Sequence, residues 1–163
     1  MVTREDIRGV NVSATIKPMD TGEIRCRLRL GVQLETRIKA VHATKASRFG
    51  WQGHFHRHRL QRESYSVVSG VLGAVSWNQE TGEVLKKVLQ PLSQVWFQPG
   101  LWHDIYTTPD SEFVTFSSSE IGIDVEADRE VFPQSEIPLD VRGAQAEIEE
   151  SVRLTYRDLM WRG

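Results

Sequence analysis

Apolar and polar residues alternate with a period of two through the first three quarters of the chain. This spacing is typical of strands with one buried face and one face in water. The pattern predicts short strands at residues 10–16, 24–30, 32–40, 54–58, 63–69, 71–77, 83–90, 94–98, 103–107 and 112–118. Residues 20–22 and 78–82 predict turns, the second of them closing a hairpin.

The end of the chain follows a different pattern. Between Gly143 and Trp161, apolar residues recur at the three- and four-residue spacing of an amphipathic helix. Many short strands at close spacing favour an antiparallel sandwich or barrel, and the helix would pack on its outside or against a second subunit. The sequence therefore predicts an all-β domain with one C-terminal α-helix.

Charge and cysteine content narrow the function classes. The formal net charge of the 163 residues is −2, which gives no reason to expect nucleic acid as a partner. Arg25, Arg27 and Arg29 alternate with apolar residues, so we interpret them as the solvent-facing side chains of a strand rather than as a phosphate-binding site. Cys26 is the single cysteine, which excludes an internal disulfide, and its phase predicts a buried, unreactive thiol.

The distribution of apolar residues gives no sign of a membrane protein. No segment has the length of apolar residues that a membrane span needs, and residues 1–10 lack the apolar stretch of a signal peptide. We therefore expect a cytoplasmic protein whose partner is a small molecule rather than a membrane.

The segment from Gly50 to Gly70 carries the candidate chemistry. His56 and His58 are two positions apart on a predicted strand, so their imidazoles project to the same side about 7 Å apart. Glu63 falls on the opposite phase, so the chain has to bend at residues 59–62 if its carboxylate is to join them. Two imidazoles and a carboxylate, with His103 from a later strand, can bind one divalent metal ion.

These residues resemble the two signature motifs of the cupin superfamily. The first family motif is Gly, five residues, His-x-His, three or four residues, Glu, six residues and Gly, and this sequence fills every position between Gly50 and Gly70. The second motif centres on Pro-x-Gly-x-x-His, and residues 99–103 keep its Gly-to-His spacing with proline shifted by one place. The family's asparagine after that histidine falls at Thr107, a further departure.

The resemblance implies a fold, a domain plan and a ligand set. The expected fold is a single-domain cupin double-stranded β-helix, a jelly-roll barrel, with its core at residues 46–120. Residues 1–45 would supply strands that pack on the barrel, and residues 121–163 a C-terminal extension with the helix. By the same resemblance the metal ligands are His56, His58, Glu63 and His103. The ligand types suit Fe, Mn, Ni, Cu or Zn and leave the identity of the metal open.

Two further side chains are candidates for proton transfer. His54 shares the phase of His56, so its imidazole would either carry protons beside the metal or only form a hydrogen bond at the barrel mouth. Tyr65 is in phase with Glu63, and its phenol would either donate to a substrate oxygen or pack in the sheet with its hydroxyl satisfied.

The remaining residues near the motifs have structural interpretations. Trp102 and Tyr106 flank His103 on the opposite phase, so they would line a rim or pack outward, and Asp104 is expected in solvent. Core or interface packing is expected for four other aromatic residues, Trp51, Trp77, Trp96 and Phe97.

Cupins include several reaction classes, so the fold does not name the reaction. The local sequence around both motifs is similar to that of cupins that act on nucleotide-linked sugars, and we expect a metal-dependent isomerase or epimerase of a small carbonyl compound. A non-haem Fe(II) or Cu(II) dioxygenase, a metal-dependent lyase or decarboxylase, and a non-catalytic small-molecule-binding protein are the alternatives. A homodimer is also expected, because the strands at 10–16 and 24–30 have edges that must be covered.

Overall fold

Two antiparallel sheets of seven and six strands pack against each other in the computed structural model, which describes residues 2–7, 10–18, 24–30, 38–118 and 128–161. The strands are β1 Val2–Ile7, β2 Val10–Pro18, β3 Ile24–Leu30, β4 Ile38–Lys45, β5 Gly50–Trp51, β6 His56–His58, β7 Arg62–Ser69, β8 Leu72–Trp77, β9 Val84–Leu89, β10 Gln94–Phe97, β11 Trp102–Thr107, β12 Glu112–Ser118 and β13 Arg129–Val131. The helix α1 is Leu139–Met160. The predicted fold class, all-β with one C-terminal helix, is confirmed.

The strand order is β1-β2-β3-β4-β12-β7-β10 in the larger sheet and β13-β6-β11-β8-β9 in the smaller one, where β5 also pairs with β11. An apolar cluster between the sheets joins side chains from both, among them Val67, Leu72, Ile105 and Phe113. The alternation along each strand therefore points one set of side chains into this interior and the other set outward.

The helix covers the outer face of the smaller sheet. Ile148 and Val152 pack so close to β8 that a Cβ added at Gly73 would lie 2.2 Å and 2.8 Å from their Cγ2 atoms. Because α1 covers one face and the barrel interior the other, every residue of β8 and β11 is buried. Asp104 is among them at 3% exposure, so the expectation that it lies in solvent is wrong.

Most predicted strands are present, with shifted ends. The strand expected at 32–40 is seen from Ile38 and continues to Lys45, while residues 31–37 lie outside the described residues. The strand expected at 54–58 begins at His56, because residues 52–55 separate it from β5. Sequence patterns missed β1, β5 and β13, since the first carries four charged or polar residues in six and the others are only two or three residues long.

The helix begins at Leu139, four residues before its predicted start. Pro138 precedes it, and a proline at this point is compatible with a helix start because its missing N–H would have no helical partner. The predicted hairpin turn at 78–82 is confirmed, as Gly82 donates its N–H to the Asn78 carbonyl at 2.8 Å. The turn expected at 20–22 lies outside the described residues.

The leading strands are covered within the chain. β2 pairs with β1 and β3, and β3 pairs with β2 and β4, so both edges of each have partners. The strand expected at 24–30 is confirmed, whereas the burial of Cys26 and the orientation of the three arginines lie outside what the structure describes. Pairing with a second subunit remains a prediction. Within the described residues, no helix combines the length and apolar character that crossing a bilayer requires.

Candidate metal centre

Three histidines project into the barrel interior from two neighbouring strands. His56 on β6 lies directly opposite His103 on β11, with ring centroids 4.5 Å apart. Residues paired in an antiparallel ladder project from the same face, so both imidazoles lie on one side of the sheet. His58 is buried like His56, whereas Arg57 between them is half-buried, and this confirms the predicted alternation.

The carboxylate of Glu63 comes from the opposite sheet. The chain leaves β6, turns at residues 59–61 and enters the larger sheet as β7, so the predicted bend is confirmed. Asp128 stabilises this bend, because its Oδ2 accepts hydrogen bonds from the backbone N–H groups of Leu60 at 3.0 Å and Gln61 at 3.1 Å. The bend brings Glu63 across the barrel to face the imidazoles.

A backbone hydrogen bond links the turn between β10 and β11 to strand β6. Gly100 donates its N–H to the His58 carbonyl at 2.7 Å. Its φ of +86° is a conformation that glycine adopts without steric cost, which gives the glycine of the second motif a physical reason. This contact sets the point where β11 begins and hence the position of His103.

One oxygen of Glu63 is the point on which these side chains converge. The distances from its Oε2 to the three Nε2 atoms are 3.0 Å for His103, 3.6 Å for His56 and 3.7 Å for His58. The Tyr65 hydroxyl donates a hydrogen bond to the same oxygen at 3.1 Å. Ligand atoms that share one ion at about 2.1 Å lie at most about 4.2 Å apart, so all three distances are short enough for a common ion.

His58 differs from the other two histidines. Potential ligand atoms of His56, Glu63 and His103 all lie within 4.8 Å of one another, and His58 is outside this group although its Nε2 is close to Glu63. Its buried Nδ1 has no hydrogen-bond partner among the described residues. The structure thus brings together all four predicted ligands, with three of them forming the tighter set, and their roles as ligands remain predictions.

Backbone carbonyls determine which nitrogen the other two histidines present to Glu63. Nδ1 of His56 donates to the His54 carbonyl and Nδ1 of His103 donates to the Leu101 carbonyl, both at 2.9 Å. A carbonyl can only accept, so Nδ1 of each ring carries a proton and Nε2 is the nitrogen that faces the carboxylate. Metal-binding histidines commonly have this arrangement.

Electrostatics favour the same protonation states. Burial lowers the pKa of His56 to about 4, although the Glu63 carboxylate opposes the shift, so this ring is neutral at neutral pH. Burial alone would raise the pKa of Glu63, but the nearby imidazoles of His103, His56 and His58 outweigh it and hold the pKa well below its usual range. The ionised carboxylate of Glu63 therefore faces the neutral imidazole of His56, whose proton is on Nδ1.

The donor set fits a divalent transition-metal ion. Two electron-rich groups, the Nε2 lone pair of His56 and the Glu63 carboxylate, face each other in a buried place, and a cation between them would relieve their repulsion. Imidazole and carboxylate are ligands common to Fe, Mn, Ni, Cu and Zn. The group formed by His56, Glu63 and His103 could therefore bind a metal, and the identity of that metal stays open.

Two aromatic side chains inside the barrel pack against the metal-site cluster. Tyr65 is 5% exposed and on the same face as Glu63, as its phase predicted. Phe97 stacks on the His103 ring, with centroids 4.1 Å apart and planes 8° from parallel. Sequence patterns did not identify this contact, because alternation places Phe97 on a buried face without saying which ring it meets across the barrel.

Several predicted neighbours of the site lie elsewhere. His54 precedes β6 and is exposed, so it does not share the buried phase of His56 as its spacing predicted, because the irregular segment 52–55 breaks the alternation. Its carbonyl contacts His56, whereas a role for its ring in proton transfer remains a prediction. Trp102 and Tyr106 pack outward and Trp77 is in the core. Trp96 is 49% exposed, so it is not a core residue, and its packing in an interface remains a prediction.

A cavity of about 750 Å³ lies on the outer side of the smaller sheet. Its walls include Trp51 from β5, Asp104 from β11, and Arg142, Glu149 and Arg153 from α1. The histidines and Glu63 are not among its lining residues. The cavity is therefore separated from the candidate metal centre by the thickness of the sheet.

Comparison with known proteins supports the fold. No family model and no curated protein sequence matches the chain. Oxalate decarboxylase from Bacillus subtilis aligns with a TM-score of 0.61 and 14% identity over 86% of this chain and 36% of its own. The capsular polysaccharide assembling protein CapF from Staphylococcus aureus aligns with a TM-score of 0.56 and 18% identity over 73% of this chain and 32% of its own.

A shorter protein aligns as well. KdgF from Halomonas sp. matches with a TM-score of 0.50 and 17% identity over 66% of this chain and 88% of its own. The present chain spans about a third of the length of the CapF and oxalate decarboxylase structures. At these identities the likeness concerns the fold, which is the cupin jelly roll that the two motifs predicted.

Proposed function

We propose that this cupin-fold protein is a metal-dependent enzyme that isomerises or epimerises a small polar carbonyl compound, in the first instance a sugar derivative. The observation that carries the proposal is the convergence of three imidazole Nε2 atoms and one phenol on a single oxygen of Glu63. His56, Glu63 and His103 would hold the ion, with His58 beside them. A bound ion of this type polarises a carbonyl oxygen and stabilises the negative charge that develops there.

Two side chains have different roles in this proposal, Glu63 in binding the ion and Tyr65 in proton transfer. Glu63 is a weak base, because its pKa is held well below the usual range, so it is suited to binding a cation rather than removing a proton from carbon. Tyr65 contacts the same carboxylate oxygen through its hydroxyl, which can give its proton to the substrate carbonyl oxygen and, as the resulting phenolate, remove a proton from the neighbouring carbon. We therefore assign proton transfer to the Tyr65 hydroxyl.

Isotope exchange tests this assignment. Small aldoses, ketoses and hydroxy acids are incubated in D₂O with protein that elemental analysis has shown to contain metal, and loss of a C–H signal is followed by NMR. Tyr65→Phe should slow the exchange by about 10²- to 10⁴-fold, the usual contribution of a general acid or base. Tyr156→Phe, a half-buried tyrosine on α1 that packs against Phe49, is the matched control.

Two results would contradict the proposal. Purified protein that contains no transition metal and takes none up from solution would remove its basis. Turnover of a substrate without any exchange of its C–H for deuterium would exclude the isomerase mechanism.

A dioxygenase is the second candidate, and one observation favours it. The tighter set of two imidazoles and one carboxylate is the ligand combination of many non-haem Fe(II) oxygenases. An oxygen electrode separates the two candidates, because an isomerase consumes no oxygen whereas an oxygenase consumes it in proportion to product.

A further inference from the structure

Arg129 lies on the same face of the sheet as the candidate metal ligands. On β13 it is paired with His58, and Val131 is paired with His56. The residue between them, Glu130, is paired with Arg57 and accepts a hydrogen bond from its Nε at 2.9 Å on the opposite face. Because paired residues share a face, this register places the Arg129 side chain on the histidine side.

The position of β13 leaves this guanidinium accessible. The strand is an edge of the smaller sheet, and Arg129 is exposed although its paired residue His58 is buried. A Cβ added at Gly53 would lie 3.7 Å from Nη2 of Arg129, so the guanidinium extends past β6 toward the segment before it. The absence of a side chain at Gly53 leaves space beside the guanidinium.

Within the described part of the chain, the nearby carboxylate of Glu130 pairs with other arginines and not with Arg129. Arg57 and Arg59 both pair with Glu130, at 2.9 Å and 3.0 Å. Among the residues that the structure describes, no carboxylate forms an ion pair with Arg129.

We propose that Arg129 binds an oxyanion of the substrate, a carboxylate or a phosphate, at the mouth of the barrel beside the metal ligands. A guanidinium presents a planar fork of donors that matches such groups, and at the edge of a buried site its charge is screened less than in bulk water. The substrate class is then a small carbonyl compound that carries an anionic group, such as a 2-oxo acid or a sugar phosphate. This refines the proposed function and rests on it for the reaction, but oxyanion binding itself does not depend on the metal.

Titration calorimetry with two probes, pyruvate and inorganic phosphate, tests the site. Each is titrated into the metal-loaded protein and into the EDTA-treated protein, for the wild type and for Arg129→Gln, Arg129→Lys and Arg59→Gln. Arg129→Gln should weaken binding of the preferred probe by about 10- to 100-fold, the range expected when one charged hydrogen-bonding partner is lost. Arg129→Lys should retain part of the affinity, and Arg59→Gln, an exposed arginine on the other side, should retain all of it.

The probe that binds more tightly identifies the carboxylate or the phosphate as the group recognised. Thermal unfolding should give the same midpoint for Arg129→Gln and the wild type, since the side chain removed is exposed and forms no ion pair with another described residue. Binding that persists in EDTA-treated protein would support the oxyanion site even if no metal were ever found, so the two proposals can fail separately. Equal affinities of the wild type and Arg129→Gln, equal losses in Arg129→Gln and Arg59→Gln, or no binding of either probe would each overturn the inference.

Discussion

The inner and outer faces of β11 are equally buried, yet His103 on the inner face and the two aromatic residues on the outer face have different surroundings. His103 faces the barrel interior, where it meets Glu63 and Phe97. Trp102 and Tyr106 face outward into an apolar cluster that α1 closes with Val141, Ile148 and Val152. Neighbouring residues of one strand therefore belong to two separate regions, a polar cluster with hydrogen-bonding and charged groups and an apolar core.

The difference shows how the fold separates stability from chemistry. Apolar burial beneath α1 is favourable without any partner of defined geometry, at roughly 25 cal/mol per Å². The inner cluster buries a carboxylate and three imidazoles, which is costly unless each is hydrogen-bonded or binds a cation. The outer core can therefore stabilise the sheet on which the less favourable inner cluster is held.

The largest effect on stability is expected at the outer face. Ile148→Ala should lower the free energy of unfolding by about 2–5 kcal/mol, because it leaves a cavity under α1 where a buried side chain contacted Gly73. Urea denaturation measures this, with Leu154→Ala, at a half-exposed position of the same helix, as the control that should cost under about 0.5 kcal/mol. Metal affinity should stay unchanged in both variants.

A double variant sharpens the test of helix packing. Gly73→Ala alone should be strongly destabilising, and the same change should be better tolerated when Ile148 is already alanine, because the closest clash is with Ile148. Additive losses in the double variant would show that the two residues do not share this space.

The second effect is at the inner face and concerns metal affinity. Glu63→Gln should weaken binding of a divalent transition ion by at least about 100-fold, since even partners of metal ligands contribute about 10- to 100-fold. Titration calorimetry with Zn²⁺ measures this. Glu130→Gln makes the same chemical change on the outer side of β13 and should leave the affinity unchanged, and an equal loss in both variants would argue against the assigned site.

The smallest effect is expected at Phe97, an apolar residue that contacts the polar inner cluster. Phe97→Leu keeps an apolar side chain but removes the ring that stacks on His103. We expect a loss of about 1 kcal/mol in unfolding free energy and about tenfold in Zn²⁺ affinity, because the imidazole loses one of its orienting contacts. Val95→Ala, two residues earlier on β10, should affect stability without changing metal affinity. A Phe97→Leu variant with unchanged affinity would show that the Nδ1 hydrogen bond orients His103 by itself.

Local patterns in the sequence predicted most strands and the site motif. The alternation around His56 and His58, the need for a bend before Glu63, and the phase of Tyr65 all follow from the geometry of a strand, which depends on a few neighbouring residues. The exposed position of His54 could not be predicted in the same way. Residues 52–55 interrupt the strand, and nothing in their composition gives the phase that follows.

Contacts between residues of different strands and loops could not be predicted from the sequence, and the reason is physical. Asp128 stabilises the bend at residues 60 and 61, and Arg129 is aligned with His58, so these contacts join segments 67 to 71 positions apart. Phe97 and His103 are close in the sequence but stack across the barrel from strands of different sheets. The burial of Asp104 likewise depends on the face of β11 that α1 covers. Strand periodicity is a local property of the backbone, so the residues alone determined which side chains share a face. Which faces meet depends on how the two sheets and the helix pack, and only the tertiary structure decided that.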